Sequence, residues 1–540
     1  MRTDLSDPRP LAAEPRLDPA DDRGLSLGPA FRSVLFPPGR EPAQPDEREA
    51  PACFADLNLD KVVSALAAGR DEEVLRPIFH TPRRSEEIVR YRQAVFADLE
   101  RPEVFRVFPP FCEAMRAVRA DLAHAGKITW HCHRHMVILR AAATYCGALG
   151  DLLGGLRPLR LRSEGLAGFT AYLGELATSP GFRNFSAETA SLCQKLFGLD
   201  YGMLFRGDKV TVRKYAGEPD YTVSIRERFA RFREAEIEPA SPKTRKGEAA
   251  LNHIEEGILE FVGRLFPEEF RQLADYARRR GSFIDETVAR LDREIGFFVA
   301  YLDFIAPLRQ AGLPFCHPEV STSCKETEVS RGFDLALAAK LVGERAPVVC
   351  NDFRLSGPER MIVVSGPNQG GKTTFARMFG QLHVLAGLGC PVPGRSARLF
   401  LPDAVFTHFE REEDIANLRG KLEDELVRLH ESCEAMTANS VVILNEIFNS
   451  TSLDDQVLLS RKILDRILAA DAIGVCVTFI DALSTLSGKT VSMVAAVHPE
   501  DRARRTFELV RRPADGLAYA LSLAQAHGVT YERLRERVRP

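Results

Sequence analysis

The feature that most constrains the fold of this 540-residue chain is a glycine-rich stretch set directly behind an apolar run. Met361-Ile362-Val363-Val364 reads as a short buried strand. Gly366-Pro367-Asn368-Gln369-Gly370-Gly371-Lys372-Thr373 follows, and helical text continues through Ala386. A GxxxxGK[ST] loop between strand and helix is a phosphate cradle: the glycines let backbone N–H groups crowd around phosphate oxygens, and the helix N-terminus adds partial positive charge. In that setting Lys372 is expected to reach the β and γ phosphates and Thr373 to ligate Mg²⁺. From Arg360 onward apolar β-like runs alternate with helical ones, the pattern of a parallel α/β sheet.

A second buried strand, Val441-Val442-Ile443-Leu444, ends in Asn445-Glu446. A carboxylate at such a strand end can orient water near the γ phosphate and accept its proton, so Glu446 is the candidate general base. Asn445 occupies the place of a metal-binding carboxylate. Its amide offers Mg²⁺ an oxygen dipole without charge, which predicts weaker metal binding and slow hydrolysis.

The rest of the chain is too long for one ordinary domain. Nine of the 33 prolines fall among scattered charges in the first fifty residues, which predicts a disordered tail over 1–50. Three- and four-residue apolar spacing predicts a helical core over 51–195, and β-like text with Gly207, Gly217 and Pro219 predicts a small insertion over 196–246. Leu251, Ile254, Ile258, Phe261 and Leu265, then Ile284, Val288, Leu291, Ile295, Phe298, Leu302 and Ile305, predict long helices over 247–330. They fit antiparallel coiled-coil levers or the core of an ordinary bundle. Residues 331–540 complete the chain as the α/β domain. No run of ~20 apolar residues of the kind that spans a bilayer is read. The net charge of −3 excludes a globally basic nucleic-acid binder, so any such surface must be local. Eleven cysteines without regular spacing fit reduced thiols and a cytoplasmic location. His131-Cys132-His133-Arg134-His135 carries histidines four apart but no supporting ligand at fixed spacing, and it reads as structural, with Trp130 beside it in the core.

The loop through Thr374 closely resembles the GPNMGGKST of MutS DNA mismatch-repair proteins. Asn445-Glu446-Ile447-Phe448-Asn449-Ser450-Thr451-Ser452 resembles that family's DEIGRGTS, and Val477-Thr478-Phe479 stands where the family has Ala-Thr-His. The resemblance also takes in the Thr81-Pro82 to Leu99 segment and the tail after Arg512. It implies a multidomain protein: a helical core and lever with a β-containing clamp, then a phosphate-loop ATPase domain. It further implies ATP and Mg²⁺ as cofactors, a homodimer through the ATPase domains, and DNA as partner, with no membrane. Thr478 joins Glu446 and Lys372 as a catalytic candidate by that likeness. Gly420-Lys421 sits where the family has Ser-Thr, so Lys421 is the candidate for reaching the partner's γ phosphate.

Eleven basic residues against seven acidic ones between 206 and 246 make the insertion the candidate DNA-backbone surface, led by Arg206, Lys209, Arg213, Lys214, Arg226 and Arg228. The family's mismatch-reading domain and its nuclease extension have no counterpart in this text. The expected function is therefore an ATP-driven DNA clamp for mismatched, distorted or branched DNA. The alternative is a nucleotide-gated scaffold that binds protein or structured RNA with little hydrolysis.

Overall fold

A computed structural model of the chain describes residues 31–42, 49–206, 209–217, 253–410, 420–498, 505–514 and 535. It is a multidomain protein of helical and α/β parts. Two compact units emerge: one takes in Arg106–Leu159 and Thr170–Ala289, the other Phe31–Phe105, Arg160–Phe169 and Arg290–Pro540.

The first unit is helical, organised around His131–Leu156, which packs against helices Phe108–Ala125, Pro180–Phe197, His253–Leu265 and Pro267–Arg279. Local sequence signals set the boundaries. Ser179 caps the helix that Pro180 opens, its hydroxyl accepting the Phe182 N–H. Aromatic rings of Tyr145, Phe182, Phe185 and Phe283 fill the centre. Trp130, half-buried, packs against the cluster of Ala125, Ile128, Val137, Ile138 and Ala277, at the edge of the core. By length and composition His131–Leu156 is apolar enough to cross a membrane, with half of its most apolar window buried. Arg134 and Arg140 interrupt its apolar text, and Arg140 is held by Asp121. A hairpin of β1 (Tyr201–Arg206) and β2 (Lys209–Lys214) falls inside the expected insertion. The remainder of that insertion, including Arg226 and Arg228, lies outside the described residues.

In the second unit the remaining strands are β3 (Phe315–Cys316), β4 (Glu319–Ser321), β5 (Thr327–Gly332), β6 (Asn351–Leu355), β7 (Met361–Ser365), β8 (Val392–Pro393), β9 (Ser396–Phe400), β10 (Val405–His408), β11 (Val441–Asn445), β12 (Ile473–Val477), β13 (Thr490–Val497) and β14 (Arg505–Arg511). The main sheet runs β10-β11-β12-β7-β13-β14, parallel except for β14. Every residue of β7, β11 and β12 is buried, as parallel strands covered on both faces must be. β11 and β12 approach so closely at Gly474 that a Cβ there would stand 1.9 Å from the Val442 carbonyl oxygen. A smaller sheet, β4-β9-β5-β6, and the pair β3-β8 complete the β structure.

Two features of this unit depart from the sequence reading. Residues 31–36, assigned to the tail, are packed: Phe31, Val34, Leu35 and Phe36 are buried, and Arg92 donates to the Leu35 carbonyl at 3.1 Å. Proline content is a poor guide here because six consecutive residues supply four apolar side chains and a serine that folds the strap on itself, its hydroxyl accepting from the Leu35 and Phe36 N–H groups. Residues 51–105, expected to open the helical core, belong instead with the main sheet. Thr407 donates to Asp56 at 2.7 Å, and Gln381 donates to the Leu57 carbonyl at 2.8 Å. The apolar stripe of Val288, Leu291, Ile295, Phe298, Leu302 and Ile305 is buried as expected on the helix Glu286–Gln310. Phe297, Val299, Ala300 and Tyr301 are buried too, so the middle of that helix is a core element and not a two-sided seam.

Candidate functional site

The glycine-rich loop leaves the carboxyl end of β7, the central strand, and enters the helix Lys372–Leu388. That is the crevice where open parallel sheets hold ligands. Gly366 has φ 117°, and a Cβ there would press on the Ala495 backbone nitrogen of β13 at 3.0 Å, so only glycine fits. Gly371, at φ 89°, forms the helix N-cap without any side-chain cap, leaving first-turn N–H groups for an anion. Arg505 of β14 donates to the Asn368 carbonyl at 3.2 Å and braces the loop from the side.

Lys372 is buried. Its ammonium donates to the carbonyls of Gly366 (3.0 Å) and Pro367 (3.2 Å) and stands 3.7 Å from the Glu446 carboxylate. The Phe479 ring lies over it with its centroid 4.2 Å away. Burial lowers the Lys372 pKa below its ordinary value, and the Glu446 charge opposes that shift without cancelling it.

The next residue, Thr373, donates its hydroxyl hydrogen to Asn445 Oδ1 at 2.9 Å. The helix start and the end of β11 thereby bring two hard oxygen donors together. That donor set fits a small divalent cation shared with phosphate oxygens, with one neutral amide where a carboxylate would add charge.

Glu446 begins a sharp turn after β11. Its φ is 54° and that of Phe448 is 61°, both in the left-handed region that non-glycine residues avoid. The Glu446 N–H donates to the Val477 carbonyl of β12 at 2.9 Å. Thr478 donates its N–H to the Val364 carbonyl at 3.0 Å, while its hydroxyl accepts the Ile480 N–H at 3.0 Å. Its side chain thus shapes the turn behind β12.

The sequence candidates Lys372, Thr373, Asn445 and Glu446 therefore converge on one crevice. Lys421 opens the helix Lys421–Ala435 behind Gly420 and forms an ion pair with Glu410 of its own chain. Arg206 and Lys209 are register partners at the tip of the β1–β2 hairpin, in the other unit, and Arg213 and Lys214 follow on β2. The Lys214 ammonium lies 4.9 Å from the Phe266 ring centroid. Sequence reasoning missed the contact of Phe479 with Lys372, the bracing by Arg505, and the group of His408, Glu425 and Arg428 beneath the Glu446 turn. No local pattern marks these residues, because each arrives from a distant segment. Among the described residues no three His, Cys, Asp or Glu side chains form a metal-binding group. His133 instead pairs with Glu256 at 2.9 Å.

Residues 362–531 match the family model of MutS domain V. Similar proteins include a DNA mismatch repair protein MutS of Halalkalibacterium halodurans, 27% identical over 237 residues, or 42% of this chain and 25% of that protein. The DNA mismatch repair protein MutS 2 of Halobacterium salinarum is 32% identical over 197 residues, covering 35% and 23% respectively. The endonuclease MutS2 of Thermus thermophilus is 29% identical over 215 residues, covering 37% and 29%. The matched stretch thus spans about a quarter of the length of these relatives. It holds the central sheet, the glycine-rich loop and the Asn445-Glu446 turn, and over that stretch the chain carries a MutS domain V and is similar to MutS-family proteins.

Proposed function

We propose that the chain binds and hydrolyses ATP with Mg²⁺ and couples that cycle, as a homodimer, to clamping on mismatched, distorted or branched DNA. The observation that carries the catalytic part is the convergence of Lys372, the Thr373–Asn445 pair and Glu446 at the carboxyl ends of β7 and β11. Residues 366–374 wrap the phosphates, and Lys372 exchanges its loop carbonyls for the β and γ oxygens. Thr373 and Asn445 would hold Mg²⁺, which would supply positive charge beside the transferred phosphoryl group. Glu446 orients the attacking water and takes its proton. Lys421 is assigned to the partner's site across the dimer, on the likeness to the family's Ser-Thr position. Thr478 keeps its place as a catalytic candidate by the same likeness, supporting the turn behind β12.

DNA is assigned to the hairpin carrying Arg206, Lys209, Arg213 and Lys214, with Arg226 and Arg228 beyond it, since a local basic excess on a protein of net charge −3 is the electrostatic footprint of a backbone-contacting surface. Eleven free thiols fit a reducing compartment. Asn445 favours a second reading, a nucleotide-gated scaffold with slow turnover that binds protein or structured RNA, because its amide brings no charge to the metal. Fluorescence anisotropy on homoduplex, mismatched and branched DNA and on structured RNA, with and without ATP, separates the two. The clamp requires DNA affinity that falls steeply and log-linearly with salt. Equal or stronger binding to RNA, or no nucleic-acid binding, would support the scaffold.

A further inference from the structure

We propose that Glu425 is a positioning residue for Glu446, its carboxylate and the peptide N–H of Phe448 locking the strained turn from which the Glu446 side chain reaches Lys372. The proposal rests on the reading of Glu446 as general base and adds the element that aims it.

The turn needs outside support. Two left-handed non-glycine residues fall within three positions, and such backbones are unfavourable and persist only where the surroundings hold them. Three elements do so. β12 accepts the Glu446 N–H through the Val477 carbonyl at 2.9 Å. Gln456, on the helix Leu453–Ala469, donates to the Ile447 carbonyl at 3.1 Å. Glu425, on the helix Lys421–Ala435, accepts the Phe448 N–H at 2.8 Å. The first and second are contacts a turn behind any strand could make. The third is different, because it brings a largely buried carboxylate from another helix onto the turn, where it receives the Phe448 N–H and faces His408.

That carboxylate is itself fixed. His408, buried at the end of β10, brings Nε2 to 3.3 Å from the same oxygen. Arg428 donates to the Phe409 carbonyl at 3.2 Å and lies beside the His408 ring. Burial works against ionisation of Glu425, but its bonds to His408 and Phe448 outweigh burial and hold its carboxyl below the usual carboxylate range. A carboxylate oxygen accepts the Phe448 N–H whether or not its charge strengthens the bond, and the charge adds to the hold on the turn. Phe448 is fully buried, so its N–H has no water to turn to if Glu425 is removed. With the turn released, Glu446 can relax by an ångström or more away from its position 3.7 Å from Lys372, and a misplacement of that size costs catalysis about 100-fold.

Glu425→Ala is expected to lower kcat for ATP by about 10- to 100-fold, with the affinity for a non-hydrolysable ATP analogue changed less than about twofold. Glu425→Gln keeps an oxygen for the Phe448 N–H and should recover most of that loss. The discriminating arm combines Glu425→Ala with Glu446→Ala. If Glu425 acts through Glu446, the double variant turns over no more slowly than Glu446→Ala alone. An equal further drop in the double variant, or failure of Glu425→Gln to rescue, overturns the proposal. Amide hydrogen exchange at Phe448 provides a readout independent of turnover: Glu425→Ala must raise exchange there while the β11 amides stay protected, and unchanged Phe448 exchange also overturns it. Should Glu446→Ala turn over at the parental rate, the general-base reading fails, while the exchange result still decides whether Glu425 holds the turn.

Discussion

Glu294 offers a quantitative test of how the N-terminal strap is held. Its carboxylate is buried on the helix Glu286–Gln310 and accepts the Ser33 hydroxyl at 2.8 Å and the Val34 N–H at 2.7 Å. Burial outweighs these bonds and raises the Glu294 pKa from 4.5 to about 7. A folded-state value above the unfolded one means that the folded protein keeps the proton longer. The associated stability is fully present below pH 4.5 and is lost as pH rises through 7. At about 1.4 kcal/mol per pKa unit the whole effect is about 3 kcal/mol, of which about 2 kcal/mol disappears between pH ~5.5 and ~8.5. Gln at this position is neutral throughout and keeps an oxygen for both donors. Glu294→Gln should therefore flatten the pH dependence and leave the variant about 2–3 kcal/mol more stable than the parent at pH ~8.5. Urea midpoints at a series of pH values, paired with hydrogen exchange at the Val34 amide corrected for intrinsic rate, measure it. Parallel pH curves for parent and variant would refute the reasoning, since they would mean that Glu294 ionises in the folded protein as it does in the unfolded chain.

Asn445→Asp should lower the Mg²⁺ concentration that gives half-maximal ATP turnover by about tenfold, because a carboxylate beside Thr373 adds charge to the metal's oxygen donors; a Mg²⁺ titration showing no shift would place the limit on turnover elsewhere. Gly474→Ala must force β11 and β12 apart, because the new Cβ would meet the Val442 carbonyl at 1.9 Å. The expected outcome is a loss of more than about 3 kcal/mol or insoluble protein, and a native-like melting temperature would contradict the close approach of the two strands.

The convergence of residues at the ends of β7 and β11 was largely legible in the sequence because its parts are local. Met361 to Thr373 and Val441 to Glu446 each place strand, turn and functional side chain within a dozen residues, and the burial of β7 and β11 follows from their unbroken apolar text. What could not be read was whatever depends on distant segments meeting. The strap at 31–36 looked unfoldable amid prolines, yet it is folded by Arg92 and Glu294, which lie far along the chain. Residues 51–105 carry helical periodicity that says nothing about which core they join, and only contacts such as that of Gln381 with Leu57 decide it. Phe479 was visible as a departure from the family's histidine. That its ring would cover the Lys372 ammonium required the β7–β12 register, which brings Val477 beside Val364. Glu425 lies one helical turn after Lys421, the residue expected to reach a partner subunit, while its own side chain accepts the Phe448 N–H in the turn of its own chain.

The reading of this crevice as an ATPase site stands or falls on nucleotide binding and turnover measured together in the parent, Lys372→Ala and Glu446→Ala. Calorimetric titration with Mg²⁺ and a non-hydrolysable ATP analogue should give binding to the parent and to Glu446→Ala with affinities within about twofold of each other, and none to Lys372→Ala, which loses the charge that offsets the β and γ phosphates. Phosphate release from ATP should be measurable in the parent and reduced by about 100-fold or more in Glu446→Ala, since proton transfer by a positioned base is worth about 10²–10⁴ in rate. Equal binding by Lys372→Ala, or parental turnover by Glu446→Ala, would contradict the assignment of these residues.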